Sequence, residues 1–163
     1  MATPLGRQPS LEFDVKVVRV AGVEAQLEGE LFVRYYVPAG DGRRRIRVDT
    51  REVPCGTGGD DVFWGECVRF QLAGNGGAVA APGKVAFELR WRPRPWSSGL
   101  ATFLRSGRPS LRVLARAVLA LSVDAKSASA ENSLRLSPAS RELGGECRAP
   151  KLLVEVKVVH LTL

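Results

Sequence analysis

A strict two-residue alternation of apolar and polar side chains constrains this chain more than any other feature. Leu11, Phe13, Val15 and Val17 alternate with Glu12, Asp14 and Lys16, and residues 152–159 repeat the pattern near the other end. A strand with one buried face has that period, and a helix does not. Residues 31–37, 43–48, 62–72 and 85–91 also read as strands. Asp41-Gly42, flanked by β-formers, predicts a hairpin turn between the first two of these. The run 111–121 carries Arg112 and Arg116 one helical turn apart, yet its strand-rich surroundings favour a strand. Residues 122–150 are small and polar and read as a long loop around one short strand at 133–136. Trp64 and Phe70 share a strand and are expected in the core. With no convincing helix, the fold class is all-β: an eight-stranded antiparallel β-sandwich over residues 10–163, after a flexible tail at 1–9.

A chain of 163 residues is long enough to bury a core as one domain. Its 24 Lys and Arg against 17 Asp and Glu give a net charge of +7, which favours anionic partners. Cys55, Cys67 and Cys147 form no CxxC pair, so neither a zinc site nor a disulfide framework is indicated, and free thiols fit a reducing compartment. The first ten residues lack the apolar core of a signal peptide and no apolar run is long enough to span a bilayer. The expected location is cytoplasmic, with at most peripheral attachment at the plasma membrane. His160 is the single histidine, and there is no Ser/His/Asp set or phosphate-cradling glycine loop, so the chain does not read as an enzyme.

Trp91-Arg92-Pro93-Arg94-Pro95-Trp96 follows directly on the strand-like run 85–90. Proline fixes φ and donates no hydrogen bond, so this segment is expected to leave the sheet as an exposed loop. Indole and guanidinium side by side suit a lipid headgroup layer or an acidic partner. The alternative is a loop whose indoles cover a sheet edge.

Several motifs, in order, carry a family resemblance. Phe63-Trp64-Gly65-Glu66-Cys67-Val68-Arg69-Phe70 resembles the Trp-x-Glu-x-x-x-Phe strand signature of C2 domains, phospholipid-binding β-sandwiches first described as the second conserved region of protein kinase C. Glu30-Leu31-Phe32-Val33 stands where that family has Asp-Pro-Tyr-Val. Val85-Ala86-Phe87-Glu88-Leu89 is similar to the strand before its third binding loop, and residues 114–121 to the strand after it. The similarity runs from about Ser10 to the C-terminus. As a single short domain the chain resembles the small plant C2 proteins, which include copine-associated proteins and a calcium-sensor type reported to restrain immunity and cell death, partly by promoting catalase activity.

The resemblance implies a non-enzymatic adaptor that binds anionic phospholipid membrane and regulates a protein partner, copine-like or catalase, as a negative regulator of plant immunity or cell death. No nucleic acid is expected. The paired acids of the family's first calcium loop fall on Glu24 and Glu30. Those of the third loop fall on Trp91 and Pro93, which have no carboxylate, and Arg90, Arg92 and Arg94 add positive charge there. Ca²⁺ takes six to eight oxygen ligands, so any calcium response is expected to be weak or atypical. The family's basic sheet face maps onto Arg34, Arg43, Arg44, Arg45, Arg47 and Arg51, with Trp91, Arg92, Arg94 and Trp96 adding headgroup contact. The alternative function is an interaction module whose basic face meets an acidic protein or nucleic acid.

Overall fold

The computed structural model describes residues 10–23, 28–38, 44–56, 61–73, 83–93, 111–121, 130–139 and 149–162. They form ten strands: β1 (Ser10–Ala21), β2 (Gly29–Pro38), β3 (Arg45–Asp49), β4 (Val53–Cys55), β5 (Val62–Ala73), β6 (Lys84–Pro93), β7 (Arg112–Ala120), β8 (Ala130–Arg135), β9 (Ser137–Pro138) and β10 (Lys151–Thr162). A four-stranded sheet has the order β5-β1-β10-β8. The second sheet runs β3-β2-β6-β7-β9, with β4 also paired to β2. The paired strands are antiparallel throughout.

The alternation seen in the sequence is the alternation of burial. Leu11, Phe13, Val15 and Val17 of β1 face Leu31, Val33, Tyr35 and Val37 of β2 across the core, with Val85, Phe87 and Leu89 of β6 and Leu152 and Val154 of β10. Trp64 and Phe70 are buried with them, as expected. An aromatic chain ties the two layers: Phe13 stacks on Phe70 at 5.4 Å, Phe70 meets Tyr35 edge-on at 6.2 Å, and Tyr35 reaches Phe87 at 5.5 Å. In β1 a register shift between Val17 and Arg19 changes the side-chain parity, so that Val17 and Val20 both face inward.

The expected all-β sandwich is therefore present, and its eight sequence-legible strands are β1, β2, β3, β5, β6, β7, β8 and β10. Two expectations need correction. Residues 122–150 contain two short strands rather than one: β8 ends at Arg135, and buried Leu136 carries the chain over to β9 in the other sheet. Trp91, Arg92 and Pro93 do not leave the sheet but complete β6, opposite Leu31, Glu30 and Gly29. Pro93 is tolerated because it is the last residue of its strand, beyond the point where β7 pairs at Arg112. The tail 1–9, the Asp41-Gly42 turn, Cys147 and the segment from Arg94 through Trp96 lie outside the described residues.

Candidate functional site

Because β2 is central to its sheet, its even-numbered side chains, Glu30, Phe32, Arg34 and Tyr36, share the outer face with cross-strand neighbours brought from far along the chain. Arg34 lies between Asp49 on β3 and Glu88 on β6, and Glu88 in turn faces Arg116 on β7. The row reads acid, base, acid, base across four strands. Opposite charges directly across antiparallel strands each contribute about 0.2–1 kcal/mol, so the row holds the sheet together.

Arg34 is the best-held member. Its Nε and Nη2 donate to the two Asp49 carboxylate oxygens at 2.7 and 3.0 Å, and its side chain is only 14% exposed. Its guanidinium also lies 5.8 Å over the ring of Phe32, an outer-face aromatic that is nonetheless 4% exposed. The hydrogen bond from Arg34 holds the Asp49 carboxyl below its usual range and the same bond raises Arg34. Glu88 likewise accepts from Arg90 at 2.9 and 2.7 Å and has Arg116 at 3.7 Å.

Towards the Pro38 end of β2 the balance changes. Arg45 faces Pro38 and Arg47 faces Tyr36 on this same outer face, and Arg44 precedes them. All three are exposed. Arg47 keeps 58% of its side chain in solvent even though Asp49 lies at 3.5 Å. Arg51 belongs elsewhere. At the break between β3 and β4, Thr50 is buried, donating its N–H to the Val33 carbonyl and accepting the Val33 N–H at Oγ1. This turns Arg51 towards the other sheet, where its N–H and guanidinium donate to Glu66 at 2.9 and 3.3 Å and its carbonyl accepts the Trp64 indole N–H at 2.9 Å.

The Gly29 end is occupied by internal contacts. Trp91 is half-buried against the core, and its indole N–H donates to the Glu28 carbonyl at 3.2 Å. The indole passes so close to Gly29 that a Cβ there would lie 2.9 Å from Nε1 and 2.2 Å from the Arg92 carbonyl oxygen; φ at Gly29 is +144°. Only glycine fits. Arg92 donates to Glu52 at 3.0 Å, and Glu30 stands beside Glu52. Glu30, and then Arg92, hold the Glu52 carboxyl below its usual range. A guanidinium thus stands beside the one described carboxylate of the expected calcium pair. Among the described residues no three His, Cys, Asp or Glu side chains converge to hold a metal ion, so this set does not fit a calcium cage. Glu24, Arg43, Arg94 and Trp96 lie outside the described residues.

The structure therefore gathers Arg34, Arg44, Arg45 and Arg47 on or beside one hairpin, and places Trp91 and Arg92 at the other end of β2. Gly29 and Tyr36 are seven residues apart on that strand, a separation of about 23 Å. Glu88 and Phe32, which set the surroundings of Arg34, were not among the site residues singled out from sequence. One signal reaches Asp49. A two-residue Asp41-Gly42 hairpin carried down both strands pairs position 34 with 49, the register observed.

No family model matches the sequence, and no curated protein does either. Solved structures match in shape. A structure of CC2D1B, described as acting in the mitotic reformation of the nuclear envelope, has a TM-score of 0.61 and 18% identity over 97% of this chain; the chain spans 57% of that one's length. The C2A domain of plant extended synaptotagmin 1 has a TM-score of 0.57 and 18% identity, covering 96% of this chain and all of that one. A human group IVD cytosolic phospholipase A2 has a TM-score of 0.54 and 12% identity over 93% of this chain, but only 17% of the enzyme is covered.

Proposed function

From the premise that this chain has the C2 fold, we propose that it is a non-enzymatic module that docks reversibly on anionic phospholipid through the outer face of the β2–β3 hairpin. The observation that carries this is the change in exposure along the hairpin: Arg34, locked to Asp49, is 14% exposed, while the side chains of Arg44, Arg45 and Arg47 stand exposed beyond it. Arg34 acts as a positioning residue that fixes the hairpin. Each cation near an anionic leaflet is worth about 1 kcal/mol within a Debye length of about 8 Å, and three give about 3 kcal/mol. Arg43 adjoins this group in sequence and is proposed with it. Arg94 and Trp96, which follow β6 in sequence, are proposed as further headgroup contacts, whereas Trp91 and Arg92 are taken up by Glu28 and Glu52.

Calcium enters only through Glu24 and Glu30, and the Glu30–Glu52–Arg92 contacts favour attachment that does not depend on it. Regulation of a copine-like protein or catalase, in plant immunity or cell death, at the cytoplasmic face of the plasma membrane, is what the sequence resemblance adds. The membrane half is the part on which the sheet geometry bears.

Flotation with phosphatidylcholine vesicles, with and without phosphatidylserine or a phosphoinositide, in calcium and in chelator, tests the reading. Wild-type protein is expected to float only with anionic lipid, in either metal condition. The R44A/R45A/R47A variant is expected to partition about 10²-fold less. Equal flotation of wild type and variant, or flotation insensitive to salt, rejects it.

A further inference from the structure

The outer-face row of acid, base, acid and base does not stop at β7. Its fifth position is Ser137 on β9, directly opposite Arg116. Leu136 before it is fully buried, so by alternation the Ser137 side chain takes the outer face beside Arg116, where it is exposed. Asp49, Arg34, Glu88 and Arg116 thus lead, strand by strand, to a neutral hydroxyl at the place where the alternation would put an anion. Arg116 has capacity for one. It is 61% exposed and only 3.7 Å from Glu88, a carboxylate that already accepts from Arg90 at 2.9 and 2.7 Å.

We propose that Ser137 is a phosphorylation site for a proline-directed kinase, and that its phosphate is taken up by Arg116. Pro138 follows it directly, and the only other Ser-Pro or Thr-Pro dipeptide in the chain is Thr3-Pro4. Proline also biases the residue before it towards an extended backbone, the form in which kinases take a substrate segment. Ser137, Pro138 and Ala139 are all exposed. Because β9 is two residues long, with Ala139 donating to the Leu114 carbonyl at 3.0 Å just beyond it, the segment opens to a kinase at the cost of a few backbone bonds. In the transfer the Ser137 hydroxyl gives its proton to the kinase's carboxylate base and its Oγ bonds to the γ-phosphorus of ATP. The bond from that phosphorus to the β,γ-bridging oxygen breaks, and ADP leaves. The product carries about −1.5 to −2 charge at pH 7 and three acceptor oxygens. By alternation from the Ala139–Leu114 bond, Ser137 and Arg116 form a hydrogen-bonded pair, whose Cα atoms lie about 5.5 Å apart, within reach of a guanidinium and a phosphate. The modification therefore fastens β9 to β7 just after Leu136 carries the chain from one sheet to the other.

The test is treatment of the folded 163-residue chain with a proline-directed Ser/Thr kinase and ATP, the modified residue being located by fragmentation mass spectrometry. T3A removes the other dipeptide and is expected to take one phosphate, at Ser137. T3A/S137A and T3A/P138A are expected to take none. Amide hydrogen exchange then compares phosphorylated with untreated T3A. The amides of Arg116, Ser137 and Ala139 are expected to exchange about fivefold more slowly once Ser137 is phosphorylated, with those of β1 unchanged. T3A/R116A is expected to melt with T3A and to be phosphorylated as readily, yet to show no slowing. A folded T3A chain that takes no phosphate at Ser137 overturns the proposal. So does phosphorylation at Ser137 that leaves those amides unchanged, or that slows them equally in T3A/R116A.

Discussion

The two ends of β2 use the same residue types for opposite purposes. At the Gly29 end the Trp91 indole donates to the Glu28 carbonyl, and Arg92 donates to Glu52, which has Glu30 beside it. At the Pro38 end, Arg45 and Arg47 stand beside Pro38 and Tyr36 largely in solvent, Arg47 keeping 58% of its side chain exposed with only a 3.5 Å contact to an Asp49 already held by Arg34. Composition does not distinguish these ends. The counter-ion does, because a guanidinium already held by a fixed carboxylate has little left to offer a phosphate.

That difference can be tested by breaking each end separately. The largest effect is expected at Gly29. Gly29→Ala forces a Cβ against the Arg92 carbonyl and the Trp91 indole at a backbone angle that side chains avoid, and should cost roughly 3 kcal/mol in urea denaturation. A cost under about 0.5 kcal/mol would show that this end is not tightly packed. Next comes Asp49→Ala, which leaves the mostly buried Arg34 guanidinium without its acceptor and should cost about 2 kcal/mol, with vesicle binding lowered because the hairpin loosens. The same pair gives a pH dependence of known sign. The carboxyls of Asp49 and Asp14 titrate below their usual range through Arg34 and Arg69, so their stabilisation is present above about pH 4 and lost as pH falls further. Acid titration of unfolding should therefore be shallower in D49N than in wild type, and equal slopes would contradict the assignment.

A smaller effect is expected from Arg47→Ala. Stability should change by less than about 0.5 kcal/mol while vesicle partition falls by about 1 kcal/mol, a separation that a structural role would not produce. The smallest is Arg92→Ala, whose partly exposed bridge to Glu52 is worth about 0.5 kcal/mol or less, with vesicle binding unchanged.

Much of the fold was legible because burial on one face imposes a period of two, and β1, β2, β5, β6 and β10 show it directly. Missed elements have local reasons. β4 and β9 are two or three residues long, too short to display a period. Pro93 suggested an exit because proline cannot donate to a ladder, but a strand's last residue need not. The arginine hairpin was legible as a cluster of charge. Its division into locked and exposed members was not, since Glu88 reaches Arg34 only through the β2–β6 register, set by packing between segments 54 residues apart. Asp49 was within reach, because the Asp41-Gly42 turn carried along both strands gives its partner.

Amide hydrogen exchange of the wild-type chain with and without phosphatidylserine vesicles tests the central claim most directly. Membrane-dependent protection is expected at residues 44–49 and the facing residues 34–38, with residues 28–31 and 91–93 unchanged. Protection confined to 28–31 and 91–93, with the hairpin unaffected, would contradict it.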